Sequence, residues 1–180
     1  MNYRSKYVIA FKGLKEGKHR FAFEIDEPFF DLFENSEVKK GSVTVIVTLT
    51  RQSNLLVVET EMKGRVELLC DRCLEPYDQR IRCSNTLYVK FGAEEEELND
   101  DVIVLPYEEH QIDLAQSFYE QVILSLPIKR IHPKGPDGKR NCNPDMVEKL
   151  SYYLVDESAP PVEEQSDDRW KELKKLFDKQ

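Results

Sequence analysis

Apolar and polar positions alternate through most of the first half of the chain. In residues 41–52, GSVTVIVTLTRQ, small or polar positions alternate with β-branched ones, and residues 55–69, LLVVETEMKGRVELL, continue in the same style. A period of two places successive side chains on opposite faces of a strand. Both stretches are therefore predicted strands, with Ser53-Asn54 as the hairpin turn between them. Residues 77–91, YDQRIRCSNTLYVKF, alternate again, with Ile81, Cys83, Leu87 and Val89 as the inward set. Upstream, residues 3–11 (YRSKYVIAF) and 19–25 (HRFAFEI) predict two further strands joined by a Gly-containing turn. In DEPFFDLFEN, Pro28 after an acid starts a short helix whose buried face is Phe29, Phe30 and Phe33.

From residue 92 the pattern changes. GAEEEELNDD reads as an acidic loop, VIVLPY as a short strand, and residues 112–127 as a helix. Asp113 is its expected N-cap, with Gln116 three residues on, and Ala115, Phe118, Val122 and Leu126 fall on one face. IKRIHPKGPDGKRNC is a basic, Gly- and Pro-containing loop. A second helix opens with Asn143 as N-cap and Pro144 in its first turn. The expected organisation is a single α+β domain over residues 1–155, then an acidic Pro-containing linker, 156–166, and a short amphipathic C-terminal helix, 167–180. Within the domain, a bent antiparallel sheet (a meander, partly barrel-like) is packed by two or three helices. Trp170, Leu173 and Phe177 of the tail helix are expected to dock on their own domain or in a partner's groove.

No stretch approaches the roughly 20 apolar residues that span a bilayer, and the first residues lack the apolar run of a signal peptide. A cytoplasmic location with reduced thiols and no membrane partner is expected. The net charge of −8 argues against a general nucleic-acid binder, but the charge is segregated. Residues 128–141 carry five Lys/Arg against one acid, whereas residues 93–120 hold ten acids and no Lys or Arg. No phosphate-binding loop, dinucleotide fingerprint, nucleophile elbow or H-E-x-x-H motif occurs, and His19, His110 and His132 lie far apart. The expectation is a non-catalytic protein with no small-molecule substrate.

Chemistry concentrates at CDRC, where Cys70 and Cys73 sit between two strand patterns. Two thiolates two residues apart bite one ion from a tight turn, and a second pair completes the tetrahedron. A redox dithiol instead opens a helix, which Pro76 and the alternation after it oppose. The position after Cys73 is Leu74, not the small residue that would ease the turn. Cys83 lies inside a strand and reads as a packed side chain. Cys142 stands just before a helix N-cap, where the helix dipole favours a thiolate, with His132 ten residues earlier. Cys70, Cys73, His132 and Cys142 thus form a Cys₃His set suited to a structural Zn²⁺, the alternative being reduced, idle thiols and a surface histidine. A closed clip would gather Arg72, Lys129, Arg130, Lys134, Lys139 and Arg140 into one basic patch able to contact RNA phosphates.

These residues carry a family likeness. LLCDRCLEPY resembles the L-x-C-x-R-C-L-E-P-[FY] signature of the YceD family. The likeness continues through IDLAQSFYEQVILSLPIKRIHP, Cys142 before the next helix and DDRWKELKKLF, covering roughly residues 40–180. Many members carry a fuller run of cysteines in the second segment; His132 and Cys142 alone place this chain with the Cys/His-depleted branch. The resemblance implies a role in accumulation or processing of large-subunit ribosomal RNA, with no enzymatic activity to carry over. The implied partner is that RNA. Alternatively, the acidic segments and the tail helix would make the chain an adaptor for a basic, large-subunit ribosomal protein.

Overall fold

The computed structural model describes residues 3–92 and 102–153. The chain enters through a 3-10 turn, Tyr3–Tyr7, and a three-residue strand, β1 (Val8–Ala10). There follow β2 (Gly17–Ile25), the one-turn helix α1 (Glu27–Phe30), and the strands β3 (Gly41–Arg51), β4 (Leu55–Leu69) and β5 (Pro76–Phe91). Next come β6 (Val102–Leu105), β7 (Gln111–Asp113) and the helix α2 (Ala115–Leu124). Among the described residues the strands form a five-stranded sheet, ordered β2-β3-β4-β5-β6, and a two-stranded β1-β7 pair. The fold class is α+β, as the hydrophobic pattern predicts.

Alternation sets the core. Val43, Val45, Val47 and Leu49 of β3 point inward with Leu56, Val58, Met62, Val66 and Leu68 of β4, and all are buried. Register puts Val43 opposite Gly64 and Gly64 opposite Ile81, so β3, β4 and β5 share one inner face. Leu114, Ala115, Phe118 and Val122 cover that face from α2. Phe118 meets the Tyr7 ring edge-on at 6.2 Å and Phe23 at 5.6 Å, and Phe29 meets Tyr7 at 4.8 Å. Each such buried side chain contributes about 1.5–3 kcal/mol. The Ser53-Asn54 turn is present, closed by Gln52 N–H donating to the Leu55 carbonyl at 2.9 Å.

Four expectations need correction. The stretch 3–11 is mostly not strand, and β1 pairs with β7 (Ile9 opposite Ile112) instead of forming a hairpin with β2. Arg51 turns the chain away, its guanidinium donating to the carbonyls of Phe11, Lys12 and Leu14. The large sheet is mixed, not antiparallel: β6 runs parallel to β5, with Tyr88 opposite Val102 and Phe91 opposite Leu105. Alternation identifies a strand without giving its direction, and the long acidic connection removes the tight turn that would force an antiparallel return. Among the described residues the sheet is also open, with β2 and β6 at its two edges, where a partly barrel-like course is expected. Helix α2 is shorter than the pattern because Asp113 belongs to β7; its carboxylate still accepts the Ala115 N–H at 2.9 Å and pairs with Arg4 at 2.6 Å.

The chain divides into two compact units, residues 1–142 and 143–180. In the second, α3 (Pro144–Tyr153) is capped by the Asn143 side chain, which accepts the Asp145 N–H at 3.0 Å, and none of its residues is buried. The expected acidic loop at 93–101, the linker 156–166 and the helix 167–180 lie outside the described residues. No helix among the described residues is long and apolar enough to cross a membrane.

Candidate metal centre

The β4–β5 hairpin ends in CDRC, as its place between two alternating runs requires. The turn is held by Cys70 N–H donating to the Glu75 carbonyl (2.9 Å) and Leu74 N–H donating to the Cys70 carbonyl (2.8 Å). It forces Leu74 to φ 60°, the left-handed region that a side chain disfavours by roughly 1–2 kcal/mol. Leu74 is exposed, so little burial offsets this strain. Leu74→Gly is expected to stabilise the protein by up to about 1 kcal/mol, the strain relief less glycine's entropy cost. Equilibrium urea unfolding measures it; a lowered midpoint would mean that the leucine side chain makes contacts that outweigh its strain.

The second half of the cluster comes from residues 128–142. Asp71 N–H donates to the Arg130 carbonyl at 2.6 Å, and the Asp71 carboxylate accepts the Arg130 N–H at 2.7 Å. This two-way clasp fastens the loop to the hairpin tip. Beyond it the loop doubles back: Lys134 bridges Arg140, Gly135 N–H donates to the Lys139 carbonyl at 2.7 Å, and Gly138 supplies φ 75° at the turn. The reversal brings Cys142 beside His132 despite the ten residues between them.

Four ligand atoms meet there. Cys70 Sγ is 3.9 Å from Cys142 Sγ, Cys73 Sγ is 3.5 Å from His132 Nδ1, and Cys142 Sγ is 3.7 Å from the same nitrogen. All four lie within 4.8 Å of one another, an arrangement compatible with a shared metal ion. Cys70, Cys73 and His132 are buried and Cys142 is half-buried. The Tyr77 ring packs 5.2 Å from the imidazole, its hydroxyl buried without a hydrogen-bond partner among the described residues.

Electrostatics also favours an added cation. Burial pushes the Cys70 thiol up, but the N–H groups of Arg72, Cys73 and His132 and the His132 side chain hold the thiolate, and the balance falls at about 6. Burial, then the neighbouring Cys70 and Cys73, push Cys142 up to about 11. One thiolate therefore resists a second beside it, and a divalent cation removes that resistance.

The structure brings together the four residues that the sequence groups, Cys70, Cys73, His132 and Cys142, and leaves Cys83 apart. Cys83 lies inside β5 within reach of Ser125, its thiol raised by burial. The six predicted basic residues divide. Lys129, Lys134 and Lys139 are exposed and Arg72 is half-buried. Arg130 instead pairs with Glu37, and Arg140 donates to the His132 carbonyl, so both hold the loop in place. The Asp71–Arg130 clasp was not foreseen; an acid inside the CDRC turn facing a basic loop was its only signal.

A family model described as "Large ribosomal RNA subunit accumulation protein YceD" matches residues 58–177, a span that contains all four residues of the cluster. Comparison with curated proteins and with solved structures gives no match.

Proposed function

Since the chain belongs to the YceD family, a family named for a ribosome-related role and not for an enzymatic one, we propose that it is a non-catalytic factor supporting accumulation of large-subunit ribosomal RNA. Cys70, Cys73, His132 and Cys142 hold a structural Zn²⁺ in this reading. Three thiolates and an imidazole suit Zn²⁺. Donor atoms around one tetrahedral Zn²⁺ lie roughly 3.3–3.8 Å apart; the separations of 3.5, 3.7 and 3.9 Å are close to this, and every pair lies within 4.8 Å. Four protein ligands leave no open position for a substrate, so the ion acts as a scaffold. It fixes the loop on the hairpin tip and presents Arg72, Lys129, Lys134 and Lys139 as phosphate contacts, with Arg130 and Arg140 bracing them.

The family match carries the functional reading. Its test is depletion of the protein in its own cells. The ratio of large- to small-subunit ribosomal RNA should fall and recover on re-expression. An unchanged ratio would sink the proposal. If re-expression restores the ratio while a ribosomal protein, resistant to nuclease, remains the retained partner, the adaptor reading replaces direct RNA contact.

A further inference from the structure

The outer face of the long hairpin carries charge that its fold does not use. On that face, register sets Lys63 directly opposite Arg82 and Arg65 directly opposite Arg80. Side chains so placed stand about 4.5–5.5 Å apart at Cβ, and like charges there destabilise a sheet. Opposite charge was at hand. Glu59 and Glu61 lie on the same strand face, but their cross-strand neighbours are Thr86 and Ser84, and Glu67 faces Asp78. Every directly opposed pair of charges across β4 and β5 on this face is thus of like sign. Because the inner face pins the register, the pairing cannot slip to relieve it.

All four cations are exposed and in no ion pair among the described residues. They line an open groove of about 660 Å³ with Thr44 on its floor edge. Thr44 and Ser42 of β3 extend the two rows, opposite Lys63 and Arg65. The nearest acids are already engaged or offset: Glu67 pairs with Lys40 at 3.8 Å, Glu24 accepts the Thr44 hydroxyl at 3.2 Å, and Glu61 and Asp78 lie two residues outside the cluster.

We propose that Lys63, Arg65, Arg80 and Arg82 bind the sugar–phosphate backbone of structured RNA, as a second contact besides the Cys/His loop. The inference rests on the ribosomal RNA reading above and locates a contact for it. Successive cations along a strand stand roughly 6.6 Å apart, a spacing suited to successive phosphates. Three of the four are arginines, whose planar donor forks match phosphate oxygens. The adjoining hydroxyls add donors for phosphate or ribose. The four residues lie four and six positions from the ends of the strands that carry CDRC, roughly 13–20 Å away along one rigid hairpin. One RNA segment would reach both contacts.

The discriminating variant is Arg80→Glu with Arg82→Glu in the full chain. It converts both like-charged pairs to opposite ones, so the thermal midpoint should rise while affinity falls. With transcribed large-subunit ribosomal RNA as the probe, binding should weaken by about tenfold or more at fixed salt. The slope of log affinity against log salt should shrink by about 1.4–1.8, two lost phosphate contacts at 0.7–0.9 each. Affinity and slope unchanged from wild type, where wild type binds, would overturn this surface and leave the proposed function standing. Wild-type chain that prefers vesicles of anionic lipid to the RNA would overturn it in favour of a membrane surface. The cellular RNA ratio described above tests the function separately.

Discussion

Protein purified without chelator is expected to carry about one zinc per chain, and Cys142→Ser to carry almost none. Cys142 would supply one of four donors, with contacts of 3.9 Å to Cys70 and 3.7 Å to His132. Structural zinc binds with about 10–16 kcal/mol in zinc-finger peptides, where binding and folding are one event. Here the sheet has its own core, so metal loss should open residues 131–142, beyond the Asp71–Arg130 clasp, and leave the strands folded. The expected signature is faster amide exchange in that loop, with a smaller fall in the global melting temperature. A hydroxyl in place of Cys142 still accepts hydrogen bonds but ligates poorly, so the variant separates metal binding from packing. Zinc-free wild type, or a Cys142→Ser protein that keeps its full zinc, would refute the centre. The Asp71–Arg130 clasp should hold the loop near the hairpin even without metal, since it uses none of the four donors.

Gly64→Ala should destabilise the protein by at least about 3 kcal/mol, within the range of severe core overpacking. An added Cβ would lie 2.2 Å from the Ser42 carbonyl oxygen and 2.5 Å from Val43 Cα, both backbone atoms. No rotamer change relieves such a contact; β3 and β4 must separate, in the middle of the sheet, where Gly64 stands opposite Val43 and Ile81. Against a typical total of 5–15 kcal/mol, the loss would leave a marginal fold. Gly13→Ala is the control, since a Cβ there meets nothing within 4 Å. Urea unfolding of the two variants decides it: a Gly64→Ala midpoint within the error of Gly13→Ala would show that β3 can move aside.

The alternation in residues 41–91 was enough to place the long strands, their inner residues and the turn that carries Cys70 and Cys73, because period-two burial is written in side chains. Partners of the short strands were not legible. Val8–Ala10 pairs with Gln111–Asp113 across a hundred residues, and no local pattern specifies that meeting. The parallel course of Val102–Leu105 was hidden for the same reason. At the candidate metal centre, cysteines are scarce enough that their spacing picks out four residues that the structure does bring together. What fastens the loop escaped notice, since Arg130 enters the clasp only through its backbone N–H and carbonyl, groups every residue has. Counting cations overstated the patch: Arg130 and Arg140 looked equivalent to their neighbours until Glu37 and the His132 carbonyl took them. The opposed cations of β4 and β5 become visible only once register is known.

The order of the strands has a consequence in time. Strands β2 to β5 each pair with the next in the chain, so three antiparallel pairs can close from neighbouring segments as soon as those segments exist. The side chains of the candidate metal centre instead meet across 59 residues (Cys73 with His132) and 72 residues (Cys70 with Cys142). Closing long loops costs entropy that only finished contacts return. The hairpin tip therefore waits, already shaped, for Cys142, some seventy residues further along the chain, which arrives with the large sheet complete behind it.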